Sequence, residues 1–240
     1  MIARALSAIV DLVQVCRCVS ISDTRFRKSR RAGMGPIVAA GNLYMRWADA
    51  RITMFVRARD WLAYERACFE LVHERPVDAG ERALEFDRLP GESLREVAAT
   101  ARLTEDALYA TGAELKRCHQ LSNGQFAHGD PHFGNVLWDG ARARLIDFET
   151  RYRDEVPIET RRANDLLVLC LDAMTVDPAW PSLAQALLAG YAPSRPVRDA
   201  LYAVLAPPRG LARVLWSSRT KRLAPSTVDR RAAALRATLA

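Results

Sequence analysis

The chain has 240 residues, half of them hydrophobic, which is enough for one substantial domain or two small lobes with packed cores. Its net charge of +7 comes almost entirely from arginine and favours an anionic ligand or surface, but it does not by itself indicate a nucleic-acid partner. The five cysteines are odd in number and form no Cys-x-x-Cys pair, which is typical of reduced thiols in a cytoplasmic protein and not of a disulfide framework. No apolar run reaches the length of a membrane span.

The N-terminal residues 2–15 predict an amphipathic helix, because apolar side chains recur there at helical spacing. This helix could pack on the core or attach to a membrane surface, and the interruption at Asp11 argues against a signal peptide. Residues 15–22 could form a strand. The basic run 25–31 and the Gly-x-Gly segment 33–35 predict a solvated loop, with a glycine-rich hairpin over a phosphate as the alternative.

The next part of the chain predicts strands followed by a helix. Residues 37–47 predict a hairpin, since a Gly41-Asn42 turn separates two strand-forming segments, and residues 52–57 predict a further strand. Residues 61–73 predict a helix with an apolar stripe, and this helix carries Glu65.

A boundary between two lobes is predicted near residue 90. Residues 82–89 predict a strand, and the turn Pro90-Gly91 follows it directly. Residues 105–120 then predict a helix, for which Thr104 is a good N-cap. His119 near the end of that helix is expected to be packed and hydrogen-bonded.

The most informative stretch lies between residues 126 and 149. The segments Val136-Leu137-Trp138 and Arg144-Leu145-Ile146 predict two short strands, and Asp139-Gly140 between them is a strong hairpin signal. A hairpin returns the end of its second strand to the start of its first. Residues that follow the second strand are therefore expected beside residues that precede the first.

Three oxygen-bearing side chains, Asp130, Asn135 and Asp147, are expected to converge in this way. Mg²⁺ prefers oxygen ligands and is usually held by one or two carboxylates together with substrate phosphates. A carboxylate and a carboxamide can hold the metal, and a second carboxylate can accept the proton of an attacking hydroxyl. The spacing Asp-x-x-x-x-Asn followed by Asp-Phe is the arrangement of kinase catalytic and metal loops.

The His-Gly-Asp-x-His-x-x-Asn stretch at 128–135 resembles the small-molecule branch of the protein-kinase-like superfamily, which includes aminoglycoside and choline phosphotransferases and lipopolysaccharide sugar kinases. The resemblance covers about residues 105–172. It implies an α+β, two-lobed protein-kinase-like fold. A reduced β-rich N-lobe would span residues 1–90, and a mainly helical C-lobe would span residues 91–240.

The resemblance also implies roles for individual residues. Asp130 would be the catalytic base in a catalytic loop at 128–135. Asn135 and Asp147 would bind Mg²⁺ and, through it, ATP, with Asp147 opening a metal loop at 147–149.

Four further residues matter to this assignment. His128 would support the catalytic loop, and Asp165 in the following helix would anchor the loop backbone or interact with free N–H groups at the helix start. Phe148-Glu149 departs from the Asp-Phe-Gly form, a position that varies among atypical members.

The nucleotide-binding ion pair of the family has no obvious lysine in this sequence. The helix glutamate would be Glu65, but Lys28 lies far upstream in a basic run. We therefore expect Arg46 to bind the nucleotide phosphates in place of lysine, with Arg57 as the second choice. A planar guanidinium is not interchangeable with an ammonium group, and surface pairing of these side chains without a nucleotide role is the alternative.

Residues 161–169 predict a helix, and residues 183–206 predict one or two more, broken by Pro193 and Pro196. The arginine-rich tail beyond residue 208 predicts a helix with a basic face, packed on the C-lobe or bound to an anionic membrane.

Taken together, the sequence predicts an ATP- and Mg²⁺-dependent phosphotransferase acting on a hydroxyl of a small molecule or of a cell-envelope lipid sugar. The main alternative is a pseudokinase, a nucleotide-binding or scaffolding module without transfer. A kinase associated with RNA is suggested by basicity alone, and we expect no specific nucleic-acid partner. The expected location is cytoplasmic, with peripheral contact at the inner face of the membrane as an option.

Overall fold

The computed structural model describes residues 15–220 and 223–240, so the helix predicted over residues 2–15 lies almost wholly outside the described residues. The chain is a mixed α+β protein, as expected. It divides into two compact units. The first unit comprises residues 15–89 with Phe148–Arg151, and the second comprises Pro90–Asp147 with Tyr152–Ala240.

The first unit contains a four-stranded antiparallel sheet, a two-stranded sheet and two helices. The four-stranded sheet has the order β1-β2-β5-β4. Its strands are β1 Cys16–Ser20, β2 Arg25–Arg30, β4 Asp78–Ala79 and β5 Ala83–Asp87. Strand β3, Ile52–Met54, pairs with β9, Thr150–Tyr152. The helices are α1 Met34–Trp47 and α2 Ala58–His73.

The basic run was wrongly predicted to be a loop, because it forms strand β2 in the middle of the sheet. Its charges are matched by neighbouring strands: Arg27 lies opposite Glu85 on β5, and its Nε donates to Glu85 Oε1 at 2.8 Å. Arg25 forms an ion pair with Asp78 on β4. Cross-strand pairs of opposite charge stabilise a sheet, but the local sequence shows only one side of each pair.

The hairpin predicted over residues 37–47 is also wrong, because this segment is helix α1. Gly33, at φ 77°, occupies the left-handed region immediately before it. Asn42 is not a turn residue: its side-chain amide donates to Met54 O at 2.8 Å and accepts from Met54 N at 2.9 Å. This pair of bonds fixes one face of α1 against β3.

Helix α2 confirms the helix predicted over residues 61–73 and packs on the four-stranded sheet. The rings of Phe69 on α2 and Phe86 on β5 lie 5.0 Å apart, and Leu84 beside them is fully buried. Glu65 lies one helical turn before Phe69, so it faces the same sheet.

The second unit is mainly helical and contains one small sheet with the order β6-β7-β8. The strands are β6 Glu92–Ser93, β7 Val136–Trp138 and β8 Ala143–Leu145. The helices are α3 Leu94–Ala99, α4 Glu105–Gly124, a 3₁₀ turn Phe133–Asn135, α5 Ile158–Ala173, α6 Trp180–Tyr191, α7 Arg195–Val204, α8 Leu211–Arg219 and α9 Pro225–Ala237. Within the described part of the chain, no helix is both long enough and apolar enough to cross a membrane.

The predicted elements of this unit are found. Thr104 caps α4 by accepting a hydrogen bond from Ala107 N, and residues 183–206 form parts of two helices. Pro196 does not break the second of these, because it lies in the first turn, where a missing N–H costs nothing.

Helices α4 and α6 cross in backbone contact at two glycines. A Cβ added to Gly112 would lie 2.1 Å from Leu187 O, and one added to Gly190 would lie 1.9 Å from Tyr109 O. No side chain fits at either position, so the approach of the two helices depends on both glycines.

Candidate active site

The predicted hairpin is present and carries the candidate residues of the second unit. Strand β7 pairs antiparallel with β8, with Val136 opposite Leu145. Asp139 shapes the turn: its carboxylate accepts from Ala141 N at 2.9 Å and lies 2.6 Å from the Arg144 guanidinium. These bonds, that to Arg144 first, lower the pKa of Asp139 to about 2.

Hydrogen bonds at the open end of this hairpin bring the three expected oxygen-bearing residues together. Ile146 N donates to Asn135 O at 2.9 Å, which places Asp147 next in the chain beside Asn135. Asn135 Nδ2 donates to Asp130 O at 3.0 Å. Asp147 has φ 71°, which is uncommon for a residue with a side chain and frequent at functional sites.

Asp165 anchors the backbone of the loop at residues 128–135, as expected. It is fully buried on α5. One carboxylate oxygen accepts from His128 N at 2.8 Å and contacts His119 Nε2 at 2.9 Å. The other accepts from Gly129 N at 2.9 Å and from the Tyr152 hydroxyl at 2.6 Å. Two of these four hydrogen bonds hold the backbone of His128 and Gly129, immediately before Asp130.

His128 is a neutral support for the same loop. Its Nε2 lies 3.0 Å from Ile146 O, so Nε2 carries the proton and donates, while Nδ1 accepts from Asp130 N at 3.3 Å. Burial lowers the pKa of this imidazole, and this effect outweighs the opposing influence of nearby carboxylates such as Asp165. His119 is packed as expected, with Nδ1 2.8 Å from the Tyr191 hydroxyl.

Asp130 has a cationic partner that the sequence did not reveal. Arg219, the last residue of α8, donates from Nη2 to Asp130 Oδ1 at 2.6 Å. Both side chains are partly exposed, at 24% and 27%. Burial raises the pKa of Asp130, but Arg219 and the neighbouring histidines lower it by more, so the carboxylate stays ionised at neutral pH. The two residues are 89 positions apart, and no local pattern links them.

The first unit contains a buried ion pair between Lys28 on β2 and Glu65 on α2, with Nζ 2.9 Å from Oε1. The expectation that no lysine occupies a suitable position is therefore wrong. It failed because the basic run was not recognised as the strand next to β5, on which α2 packs.

Two more groups adjoin this pair within the first unit. Glu149 places Oε1 3.1 Å from Lys28 Nζ, and Phe148 N donates to Glu65 Oε1 at 3.2 Å. Glu149, the residue that departs from the Asp-Phe-Gly form, therefore places a second carboxylate on Lys28.

The two arginines proposed in place of a lysine lie elsewhere. Arg46 is an exposed residue in the last turn of α1, not in a strand, and Arg57 is the residue that precedes α2. Neither forms an ion pair with Glu65 among the described residues. The roles proposed from the sequence for Glu65, Asp130, Asn135 and Asp147 stay predictions.

The residues of the second unit fit a magnesium ion that is completed by phosphate oxygens. Asn135 uses Nδ2 on the backbone of Asp130, so its Oδ1 remains available as a metal ligand beside Asp147. No cluster of three or more His, Cys, Asp or Glu side chains able to hold a metal occurs among residues 15–220 and 223–240. One carboxylate and one carboxamide would therefore need ligands from a nucleotide, which is how Mg²⁺ is commonly bound in phosphoryl transfer.

Comparisons with known proteins give the following findings. No protein-family model matches the chain, and no curated protein matches it either. Among solved structures it is similar to WbdD, described as a bifunctional kinase-methyltransferase, and to a complex of WbdD with the kinase inhibitor LY294002. Identities are 16%, 16% and 17%, with TM-scores of 0.42, 0.37 and 0.39 for three structures.

The matches cover 87%, 83% and 92% of this chain, but only 48%, 46% and 44% of the WbdD chains. This chain thus spans less than half the length of the protein it matches. Because the TM-scores are below 0.5, these similarities establish neither the fold nor the function of this chain.

Proposed function

We propose that this protein is an ATP- and Mg²⁺-dependent phosphotransferase that acts on a hydroxyl of a small molecule or of a cell-envelope lipid sugar. The observation that carries the proposal is the buried pair of Lys28 and Glu65, with Glu65 also holding the backbone of Phe148, directly after Asp147. A lysine that binds phosphates and a magnesium ion held by a carboxylate are the two cationic anchors of a nucleotide in kinases.

Each group then has a defined task. Lys28, oriented by Glu65, binds the nucleotide phosphates. Asn135 and Asp147 hold Mg²⁺, which neutralises charge on the transferring phosphoryl group. Asp130 orients the acceptor hydroxyl and accepts its proton, from a loop that Asp165 keeps rigid.

The pseudokinase alternative rested on a missing lysine, and Lys28 removes that reason. The ionised carboxylate of Asp130 also supports transfer, because a base must be deprotonated before it can accept a proton. Transfer is therefore favoured over nucleotide binding alone.

The first test is the shift in melting temperature on addition of ATP with and without Mg²⁺. We expect Mg²⁺-ATP to stabilise the wild type, and we expect Lys28→Met and Asp147→Asn to abolish that shift. Lys116→Met is the matched control, because Lys116 lies on α4 and, among the described residues, donates to Ala192 O alone. No shift in the wild type at nucleotide concentrations above ~1 mM would contradict the proposal.

The second test measures transfer itself. The γ-phosphate of labelled ATP is followed into a panel of aminoglycosides, choline and sugars. We expect Asp130→Asn to abolish transfer while the Mg²⁺-ATP shift persists, because Asp130 acts on the acceptor and not on the nucleotide. Unchanged transfer in Asp130→Asn would overturn the assignment of the base.

A further inference from the structure

Helix α1 exposes a face that is almost entirely apolar. Ile37, Leu43 and Trp47 are 47%, 51% and 69% exposed. The remaining exposed residues of this helix are Pro36, Ala39, Ala40 and Arg46, so Arg46 is the one charged residue on the helix. An exposed helix face of a globular protein normally carries polar and charged residues.

The apolar face is not the face by which α1 packs. Met34 and Val38 are buried on the opposite side, where Asn42 is bonded to the backbone of β3. The other helix of the first unit shows the usual pattern, since α2 exposes Arg59 and Arg66 and buries Leu62 and Phe69. The outward face of α1 is thus unpartnered among the described residues.

The sequence within and next to helix α1 is rich in arginine. Residues 30–57 contain five arginines, Arg30, Arg31, Arg46, Arg51 and Arg57, and a single acidic residue, Asp49. In the part of the chain that the structure describes, none of the five forms an ion pair with a carboxylate. The exposed side chains of Arg31, Arg46 and Arg57 are available to an external anionic partner. Arg30 is not, because its Nη1 donates to Phe55 O and its Nε and Nη2 are buried.

We propose that α1 is a membrane-binding helix that lies along the surface of an anionic lipid bilayer. A helix of 14 residues is about 21 Å long and falls short of the ~20 residues that a span requires, so it lies in the plane of the interface. Trp47 and Leu43 enter the boundary between headgroups and acyl chains, where tryptophan is enriched. The flanking arginines bind anionic headgroups.

Charge favours a bilayer over a second copy of this chain as the partner. A twofold dimer through α1 would place the same surface against itself and bring the exposed arginines of one copy towards those of the other. An anionic bilayer presents the opposite charge. The inference does not depend on the proposed phosphotransferase activity.

The experiment is binding of the full chain to sedimenting vesicles of phosphatidylcholine, with or without about one-third phosphatidylglycerol. The wild type should bind the anionic vesicles and not the neutral ones, and salt should weaken binding. Leu43→Ser with Trp47→Ser should lower the partition coefficient at least about tenfold, because both buried apolar groups are lost.

The matched control is Leu211→Ser with Tyr109→Ser, which removes an exposed leucine and an exposed aromatic residue from the second unit. This control should bind as the wild type does. Equal loss in both double variants, or no binding of the wild type to anionic vesicles, would overturn the proposal.

A second measurement does not depend on how well the variants fold. Trp47 fluorescence, obtained by subtracting the Trp47→Phe spectrum from that of the wild type, should shift to the blue and be quenched by brominated lipids. Trp47 that is shielded from acrylamide in the absence of vesicles, or dimerisation of the full chain that Trp47→Phe weakens in sedimentation equilibrium, would overturn the proposal.

Discussion

Two ion pairs hold candidate site residues, one in each unit, and they differ in exposure. In the pair of Lys28 and Glu65 the side chains are 7% and 4% exposed, whereas in the pair of Arg219 and Asp130 they are 24% and 27% exposed. Removal of one partner of a buried ion pair leaves the other charged group without solvation. At a partly exposed ion pair, water solvates the remaining charged group. The first pair is therefore expected to determine stability, and the second to affect chiefly the properties of Asp130.

The largest effect is expected for Glu65→Ala, which should lower the free energy of unfolding by about 3 kcal/mol, because buried Lys28 loses one of its two carboxylate neighbours and Phe148 N loses its acceptor. Urea denaturation measures this loss. Glu85→Ala is the control, since Glu85 pairs with Arg27 at a more exposed site of the same sheet and should cost less than about 1 kcal/mol. Equal losses in the two variants would refute the distinction by burial.

Asp165→Asn tests whether a buried carboxylate also contributes strongly to the stability of the second unit. One carboxamide cannot accept all four hydrogen bonds of the carboxylate, so the free energy of unfolding should fall by about 2–3 kcal/mol. Asp172→Asn on the same helix is the control, because Asp172 accepts one backbone hydrogen bond, from Phe133 N. If chemical denaturation shows that Asp172→Asn lowers the free energy of unfolding as much as Asp165→Asn does, the prediction is wrong.

Glu149→Gln tests how Glu149 affects the buried pair of Lys28 and Glu65. Glu149 is a second carboxylate on Lys28, and it should compete with nucleotide phosphates for that ammonium group. Its neutralisation is expected to tighten Mg²⁺-ATP binding about fivefold, equivalent to ~1 kcal/mol, in isothermal titration calorimetry. Glu155→Gln, a change at an exposed pair with Arg153, should leave affinity unaltered. Weaker binding in Glu149→Gln would show that the carboxylate assists the nucleotide.

The smallest effect on stability is expected for Arg219→Gln. The pair is partly exposed, so the free energy of unfolding should change by less than about 1 kcal/mol. Arg213→Gln removes the same charge from the same helix and breaks a pair with Asp229, so a similar small change is expected in parallel thermal melts. A loss comparable with that of Glu65→Ala would contradict the comparison from which these predictions start.

The sequence was most informative where partners lie close together along the chain. The loop and hairpin were predicted because Asp139-Gly140 forms a tight turn, and the turn alone brings Asn135 beside the residue that precedes Asp147. The helix with Glu65 was predicted because its apolar stripe has a helical period.

The sequence was least informative where partners lie on separate elements. Lys28 and Glu65 are 37 positions apart, and their contact depends on the register of β2 with β5. Helix α1 was mistaken for a hairpin because Gly41-Asn42 has turn chemistry, whereas Asn42 satisfies its amide on β3. Contacts with another element outweighed the local preference in both cases.

The glycine crossing of α4 and α6 has a consequence for how variants of this protein should be interpreted. Tyr191, whose hydroxyl contacts His119, directly follows Gly190, and His119 contacts Asp165. A single methyl group at Gly190 would displace backbone that lies 1.9 Å from the new atom, and the displacement would reach the catalytic loop through three side chains. A loss of activity in a Gly190 variant would then result from a changed spacing between the two helices. A residue without a functional group in its side chain can therefore still be essential for activity.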